Sequence, residues 1–501
     1  MEHLVEAFVQ LMQPWPLTLL LLGVILGIVG GALPGITGAM MIALCLPLTF
    51  NMEPTLAITL LLGMYVGAIS GGLITATLMR MPGTPAAVMT TLDGYPMARD
   101  GQPGRALGLG ISASFVGGLV SCFFLMVLSK PLADFAIHFG PFETFSLILM
   151  ALVLIASVCQ GSMIKGLLSG FLGMMFAMPG VDPAGGMPRL TFSADAMNSG
   201  LGLLPVLIGV FCVSQLIADI VDIDRKPFST SVSNKGILMR FQDWKSQAVN
   251  LLRSSLIGTW VGILPGVGAN IGSVISYTAA RKGSRTPEKF GHGSEEGIIA
   301  SEAANNATVG GALIPLIAMG IPGSVIDAIL IGALMIHNIQ PGPMLFETNP
   351  EMVYGIMAAF LVANVLMFIV MITLAGKISR LMFIKRAYLL PPIMVLCIIG
   401  SYAATSTMFA IWVMLLFGGL GYFLERTKVP LGPFVIGFVL APLAERTLRS
   451  GLMISDGSYA PLFTRPLCLV FILCSVLLLV WPIYRHVQDF RRGKGQRAEQ
   501  V

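Results

Sequence analysis

Long apolar runs follow one another along this chain, at about 17–33, 37–50, 55–79, 104–129, 142–160, 163–178 and 201–221, then at about 254–280, 298–320, 324–340, 353–376, 389–403, 408–424, 430–445 and 466–484. Leu17 to Val29 and Leu467 to Val480 are nearly unbroken by polar side chains. Barrel strands would alternate, and a soluble helix would keep a polar face. These runs therefore predict helices that are apolar all round and long enough to sit in lipid. The expected fold class is all-α, a polytopic integral membrane protein of roughly a dozen transmembrane helices. The polar stretch from Asp222 to Arg253 sets Arg225, Lys226, Lys235, Arg240, Lys245 and Arg253 against three aspartates and reads as cytoplasmic. Pro341 to Met352 carries Glu347 and Glu351 without a cation and reads as an outer loop. The expected organisation is a first membrane repeat over 1–221, a cytoplasmic linker over 222–253, a second membrane repeat over 254–445, a C-terminal membrane segment over 446–484 and a basic cytoplasmic tail over 485–501.

Helix breakers occupy matching places in the two halves. Gly30-Gly31-Ala32-Leu33-Pro34-Gly35-Ile36-Thr37-Gly38-Ala39 returns as Gly262-Ile263-Leu264-Pro265-Gly266-Val267-Gly268-Ala269-Asn270, and Met81-Pro82-Gly83-Thr84 returns as Ile321-Pro322-Gly323-Ser324. Gly71-Gly72-Leu73-Ile74 also precedes the first Pro-Gly much as Gly310-Gly311-Ala312-Leu313 precedes the second. Pro removes a backbone donor and Gly relaxes the chain, so a helix interrupted there frees peptide groups that lipid cannot satisfy. Two repeats of inverted topology with Pro-Gly-broken or re-entrant helices are the expected arrangement. The run 254–280 is long enough for one crossing but lies between two basic patches. Keeping both patches on one side requires it to enter and return, bending at Leu264-Pro265-Gly266. The alternative for the glycines is close helix packing.

Neutral hydrogen-bonding side chains gather at these breaks. For a bound substrate the candidates are Pro34, Gly35, Thr37, Arg80, Pro82, Gly83, Thr84, Pro265, Gly266, Asn270, Ser273, Pro322, Gly323, Ser324 and Asp327. Free N–H groups at a half-helix start favour a carboxylate. For a cation the candidates are Gly35, Gly266, Asn305, Asn306 and Thr308, because unwound carbonyls and side-chain oxygens are hard ligands. Arg80 and Asp327 flank the two Pro-Gly motifs and are expected to pair or to face the substrate, the alternative for Arg80 being a snorkelling boundary position. Of Glu295, Glu296 and Glu302, only Glu302 reads as internal. For the Ser, Thr and Asn residues, the alternative is bonding between neighbouring helices.

Composition narrows the classes further. Hydrophobic residues make up 55% and charged residues 11% of 501, and mean hydropathy is +0.85, which excludes an ordinary soluble chain. The net charge of +5 resides in loops and reports orientation, so nucleic acid is not an expected partner. Glu2 and Glu6 without a basic residue do not make a cleaved signal peptide. The seven cysteines lie in apolar stretches without a C-x-x-C pair, and the five histidines lack ligand spacing, so no structural metal is expected. No P-loop, H-E-x-x-H or G-x-S-x-G occurs, so neither an enzyme nor a cofactor is expected beyond Na⁺ or H⁺ as coupling ion.

Taken together, Gly31-Ala-Leu-Pro-Gly35, Thr91-Leu-Asp-Gly-Tyr-Pro-Met-Ala-Arg99, Gly262-Ile-Leu-Pro-Gly266, Ser301-Glu-Ala-Ala-Asn-Asn306, Gly320-Ile-Pro-Gly-Ser324 and Ile336-His-Asn-Ile-Gln-Pro-Gly-Pro343 closely resemble the large membrane subunit of the bacterial tripartite tricarboxylate transporters. The resemblance runs from about residue 20 to 440. It implies a secondary importer of the bacterial inner membrane that takes up citrate or other carboxylates on a Na⁺ or other cation gradient. A small membrane subunit and a periplasmic solute-binding protein are the implied partners, besides the lipid bilayer. The family's polar site elements fall on the two Leu-Pro-Gly segments, the two Pro-Gly segments and Asn305-Asn306. This chain departs where the family usually has Asn at Arg80, a small uncharged residue at Asp327, Gly at Asn338 and Pro at Ser301. The expectation that follows is that Arg80 and Asp327 alter specificity. An autonomous cation-coupled carrier or channel, and a membrane enzyme or scaffold with packing glycines, are the competing readings.

Overall fold

The computed structural model describes residues 2–33, 35–158, 162–182, 185–221, 236–380 and 386–480, and it is helical nearly throughout. Pro34, residues 222–235 of the expected linker and the basic tail lie outside the described residues. The helices are α1 (Glu2–Leu11), α2 (Pro14–Gly31), α3 (Gly38–Cys45), α4 (Pro54–Met79), α5 (Thr90–Arg99), α6 (Pro103–Ala136), α7 (Pro141–Val158), α8 (Met163–Phe176), α9 (Leu203–Val221), α10 (Phe241–Ile263), α11 (Gly268–Gly283), α12 (Glu295–Met319), α13 (Val325–Ile336), α14 (Pro350–Ile378), α15 (Arg386–Thr405), α16 (Met408–Arg426), α17 (Leu431–Ile454) and α18 (Pro466–Val480). Proline opens α2, α4, α6 and α14, where a missing N–H costs nothing. Gly180–Val181 and Pro188–Arg189 form one short antiparallel pair. Among the described residues, eight helices are long and apolar enough to cross a membrane, with five shorter apolar helices beside them.

The chain groups into two units. The first holds Met1–Ile137 and Leu201–Arg426 and contains every break motif. The second holds His138–Gly200 and the chain from Thr427 onward. In the second unit α17 packs on α7 and α8, and Arg449 bonds Asp182 at 2.7 Å while Arg189 binds Glu445. The expected divisions at 221 and 254 separate the repeats by sequence, whereas this spatial grouping draws 138–200 out of the first half and the end of the second half away with it.

Within the first unit the two repeats share one packing scheme. In the first, α2 lies on α4, and a Cβ added at Gly27, Gly31 or Gly71 would meet the carbonyl oxygens of Met64, Ala68 and Ile28 at 2.2–2.4 Å. In the second, α10 lies on α12, and a Cβ at Gly258, Gly262 or Gly311 would meet those of Ala304, Thr308 and Thr259 at 2.3–2.5 Å. Backbone-to-backbone contact of this closeness needs glycine, as in membrane helix pairs generally. The pairs match one for one, so Gly31 corresponds to Gly262 and Gly71 to Gly311, which moves the expected Gly-Gly correspondence by one residue. Every residue of α4 from Ala57 to Met79, and of α12 from Gly297 to Ala318, is buried; α4 is apolar nearly all round, whereas α12 takes Glu302, Asn305 and Asn306 into the interior with it.

The run 254–280 is not one straight helix. It ends α10 at Ile263, turns at Leu264 to Val267 and runs back as α11. A Cβ at Gly272 would lie 3.8 Å from Gly258 Cα, and one at Gly283 would lie 3.1 Å from an Arg253 guanidinium nitrogen. The basic patches before α10 and after α11 therefore lie at the same end of a helical hairpin.

Candidate functional site

Each break closes on its partner within the same repeat. A Cβ at Gly83 would sit 2.2 Å from Gly31 O, and one at Gly323 would sit 2.9 Å from Gly262 O, so the end of each Leu-Pro-Gly helix carries its own Pro-Gly turn. The breaks need left-handed backbone: Gly35 has φ 94°, Gly266 φ 71° and Gly268 φ 70°. Arg80 ends α4 at φ 54° and ψ 26°, the conformation Gly320 adopts at the end of α12 with φ 70° and ψ 24°. Asn338 is also left-handed, at φ 59°. Gly and Asn are the residues that best tolerate this backbone, so Arg80 holds a conformation unusual for its type.

The side chains divide into those already used by the fold and those that are not. Thr37 caps α3, accepting from Met40 N at 3.2 Å, and Ser273 donates to Ser301 O at 3.1 Å. Thr308 donates to Ala304 O at 2.8 Å and Gly258 O at 3.3 Å, which ties α12 to α10. Asn306 accepts from Ser70 at 2.7 Å and donates to Glu302 O at 3.3 Å. Ser324 caps α13 by accepting from Asp327 N at 3.3 Å, and its hydroxyl meets Tyr65 Oη at 3.1 Å. By contrast, Thr84 Oγ1 and Asn270 Oδ1 are buried with no hydrogen-bond partner among the described residues, while the buried Asn305 amide has only Glu302 beside it and the buried Asp327 carboxylate only Ser324 and Tyr65. All four residues come from the break motifs or from the Asn-Asn segment. Pro265, Gly83, Pro322 and Gly323 are buried beside them, Gly35 and Gly266 are half-buried, and Pro82 faces outward.

The expected pairing of Arg80 with Asp327 is corrected. Among the described residues no ion pair joins them; Arg80 is exposed with its guanidinium 5.9 Å from the centre of the Tyr95 ring, whereas Asp327 is fully buried in the first turn of α13. Exposure leaves Arg80 with its two other readings, facing a substrate or holding the boundary.

Several important residues fall outside the candidate ligand sets, although Glu302 reads as internal and is so. Asp93, inside the Thr91–Arg99 motif, accepts from the N–H groups of Gly291, Gly293 and Ser294 at 2.8–3.0 Å and from Tyr277 Oη at 2.8 Å, pinning the loop that starts α12. Asp219 lies against Gly35, where a Cβ would meet its carboxylate at 2.7 Å. Glu302 is fully buried and accepts from Thr90 Oγ1 at 2.5 Å and Ser114 Oγ at 3.2 Å. Tyr65 and Thr90 stand in apolar or unremarkable context, and the repeat correspondence is the signal that reaches them: Tyr65 falls where the second repeat has Asn305. Near the start of α12, Arg105 bridges Asp243 at 2.5 Å and Glu295 at 2.9 Å, and it holds the Asp243 carboxyl down at about 2. Beside it, Lys289, His292, Glu295 and Glu296 help line a polar cavity of about 390 Å³.

A multi-pass helical chain with two matching repeats, each broken at paired points that bury partnerless polar atoms, has the architecture of a secondary membrane transporter. The chain belongs to the tripartite tricarboxylate transporter TctA family, which it matches over residues 17–436. It is 34% identical over 471 residues, 93% of each chain, to an uncharacterized 52.8 kDa protein of Agrobacterium vitis from the region 3′ to ttuC′ in TAR-I. A second uncharacterized Agrobacterium vitis protein, from the corresponding TAR-II region, is 34% identical over 235 residues, 46% of this chain and 97% of that one. No solved structure matches the chain.

Proposed function

We propose that this protein is the membrane-spanning importer of a tripartite system that carries tricarboxylates or related carboxylates across the bacterial inner membrane on a Na⁺ or H⁺ gradient. A periplasmic solute-binding protein delivers the substrate, and a small membrane subunit completes the assembly. One observation carries this reading: Thr84 and Asn270 bury polar atoms without partners at a break of each repeat, and the Asn305 amide and Asp327 carboxylate are buried with neutral side chains alone beside Asp327. A partnerless atom costs roughly 1–3 kcal/mol in a protein interior and more in lipid, and a polar ligand that completes it offsets that cost. Amide and hydroxyl donors suit a carboxylate, and the carboxylate of Asp327 suits a cation that enters with it.

The test is uptake of labelled citrate and other small carboxylates into proteoliposomes holding this chain with its two partners, with Na⁺ or H⁺ gradients imposed separately. Accumulation that collapses with the gradient and requires the binding protein is the expected result. Saturable uptake without the binding protein would replace the tripartite reading with an autonomous carrier. No gradient-driven carboxylate uptake under any condition would overturn the proposal.

A further inference from the structure

The two repeats differ most at one place. The matching glycine contacts and Pro-Gly turns put Tyr65 and Ser324 of one half in correspondence with Asn305 and Thr84 of the other. Tyr65 reaches Ser324 at 3.1 Å. Asn305 is shorter, and the Thr84 hydroxyl is left buried without a partner. One helical turn before Asn305, on the same face of α12, lies Glu302, fully buried. Its carboxylate accepts from the hydroxyls of Thr90 and Ser114 and has the Asn305 amide beside it, and Thr90 Oγ1 also meets Ser301 Oγ at 3.0 Å. Among the described residues no Lys, Arg or His forms an ion pair with Glu302. A buried carboxylate without a counter-charge is untenable unless a positive ion joins it.

We propose that Glu302, with the hydroxyls of Thr90 and Ser114 and the amide oxygen of Asn305, forms a site for one monovalent cation of the Na⁺ class. Every ligand is a hard oxygen, as such an ion requires. A proton on Glu302 would neutralise the charge and reach one neighbouring oxygen, whereas a cation draws on the carboxylate, the hydroxyls and the Asn305 oxygen together. The site excludes Thr308 and Asn306, whose polar atoms already bind helix backbone and Ser70. It joins the repeats, since Thr90 and Ser114 belong to the first and Glu302 to the second. The first repeat has Leu62 where Glu302 stands, so it carries no second copy. This deepens the cation-coupled reading above, but its test needs no substrate.

The full chain in lipid nanodiscs is equilibrated with ²²Na⁺, choline holding ionic strength constant. Saturable binding is expected for the native protein, loss of one equivalent per chain in Glu302→Gln, and unchanged binding in Glu347→Gln on the exposed outer loop. Thr90→Val keeps the carboxylate and is expected to weaken binding about ten-fold, which holds the test open should Glu302→Gln fold poorly. Absence of saturable Na⁺ binding in the native protein, or native binding in either Glu302→Gln or Thr90→Val, overturns the site. Failure of the carboxylate reading would leave these Na⁺ isotherms as they are.

Discussion

Replacing Gly262 by alanine tests whether the paired breaks rest on backbone contact. The added methyl would lie 2.5 Å from Thr308 O and 3.0 Å from Gly311 Cα and Ala312 N, roughly 1 Å inside van der Waals distance of the oxygen. The obstacle is backbone, so no rotamer relieves it and α10 must move off α12. Overpacking of this kind costs about 1–3 kcal/mol, and stretching the Thr308 hydrogen bond to Gly258 O adds about 1 kcal/mol. The expected loss is therefore about 2–4 kcal/mol, read as a fall of several degrees in the melting temperature of the detergent-solubilised protein. Gly31→Ala, whose methyl would meet Ala68 O at 2.2 Å, should behave alike. Gly419 on α16 has nothing within 4 Å of an added Cβ, so Gly419→Ala should match or exceed the native melting temperature by removing glycine's chain entropy. A Gly262→Ala protein that melts with the Gly419→Ala protein would refute the contact scheme and, with it, the repeat correspondence.

Three further outcomes follow from other contacts. In a double-mutant cycle of Arg80→Asn and Asp327→Ala, the melting shifts should add to within about 0.5 kcal/mol, because the two side chains share no contact; coupling above about 1 kcal/mol would restore their pairing. Asp93→Asn should cost about 3 kcal/mol and open the loop at 291–294 to protease, since the buried carboxylate accepts four hydrogen bonds, while Tyr277→Phe, losing one of them, should cost about 1 kcal/mol. Arg105 holds the Asp243 carboxyl down at about 2, so the pair stabilises the fold above pH 4 and loses that contribution as the carboxyl is protonated toward pH 2. Arg105→Ala should accordingly destabilise by about 1 kcal/mol at pH 6 and by less at pH 3, and an equal deficit at both would contradict the linkage.

Much of this fold is written in the sequence because membrane helices must be apolar and must satisfy their own backbone. The continuous runs predicted an all-α membrane chain, and the bend of 254–280 at Leu264-Pro265-Gly266 falls where Pro and Gly put it. Side-chain roles were less legible. Thr308 and Asn270 look equally polar in sequence, yet Thr308 is spent on Gly258 O while the Asn270 oxygen has no partner, a difference that only helix contacts decide. Arg80 and Asp327 both adjoin a Pro-Gly motif in sequence, yet Arg80 is exposed and Asp327 fully buried, a difference that only the packing decides. Tyr65 was invisible as one aromatic residue in an apolar run until the glycine contacts matched it to Asn305.

The repeats thus keep one backbone and discard one chemistry. Where the second half carries Glu302, Asn305, Asn306 and Asp327, the corresponding residues of the first are Leu62, Tyr65, Val66 and Ala87, so ionisable and amide groups concentrate in a single half while the glycine contacts are retained in both. Symmetric binding chemistry would give two equivalent sites. This arrangement instead lets the first repeat supply hydroxyls, Tyr65 to Ser324 and Thr90 to Glu302, to polar groups borne by the second. Each of those hydrogen bonds spans the two repeats, so any motion of one repeat against the other must break them or carry both partners along. A ligand that replaces a lost hydroxyl contact is then bound most tightly in one arrangement, and that differential affinity is what alternating access requires.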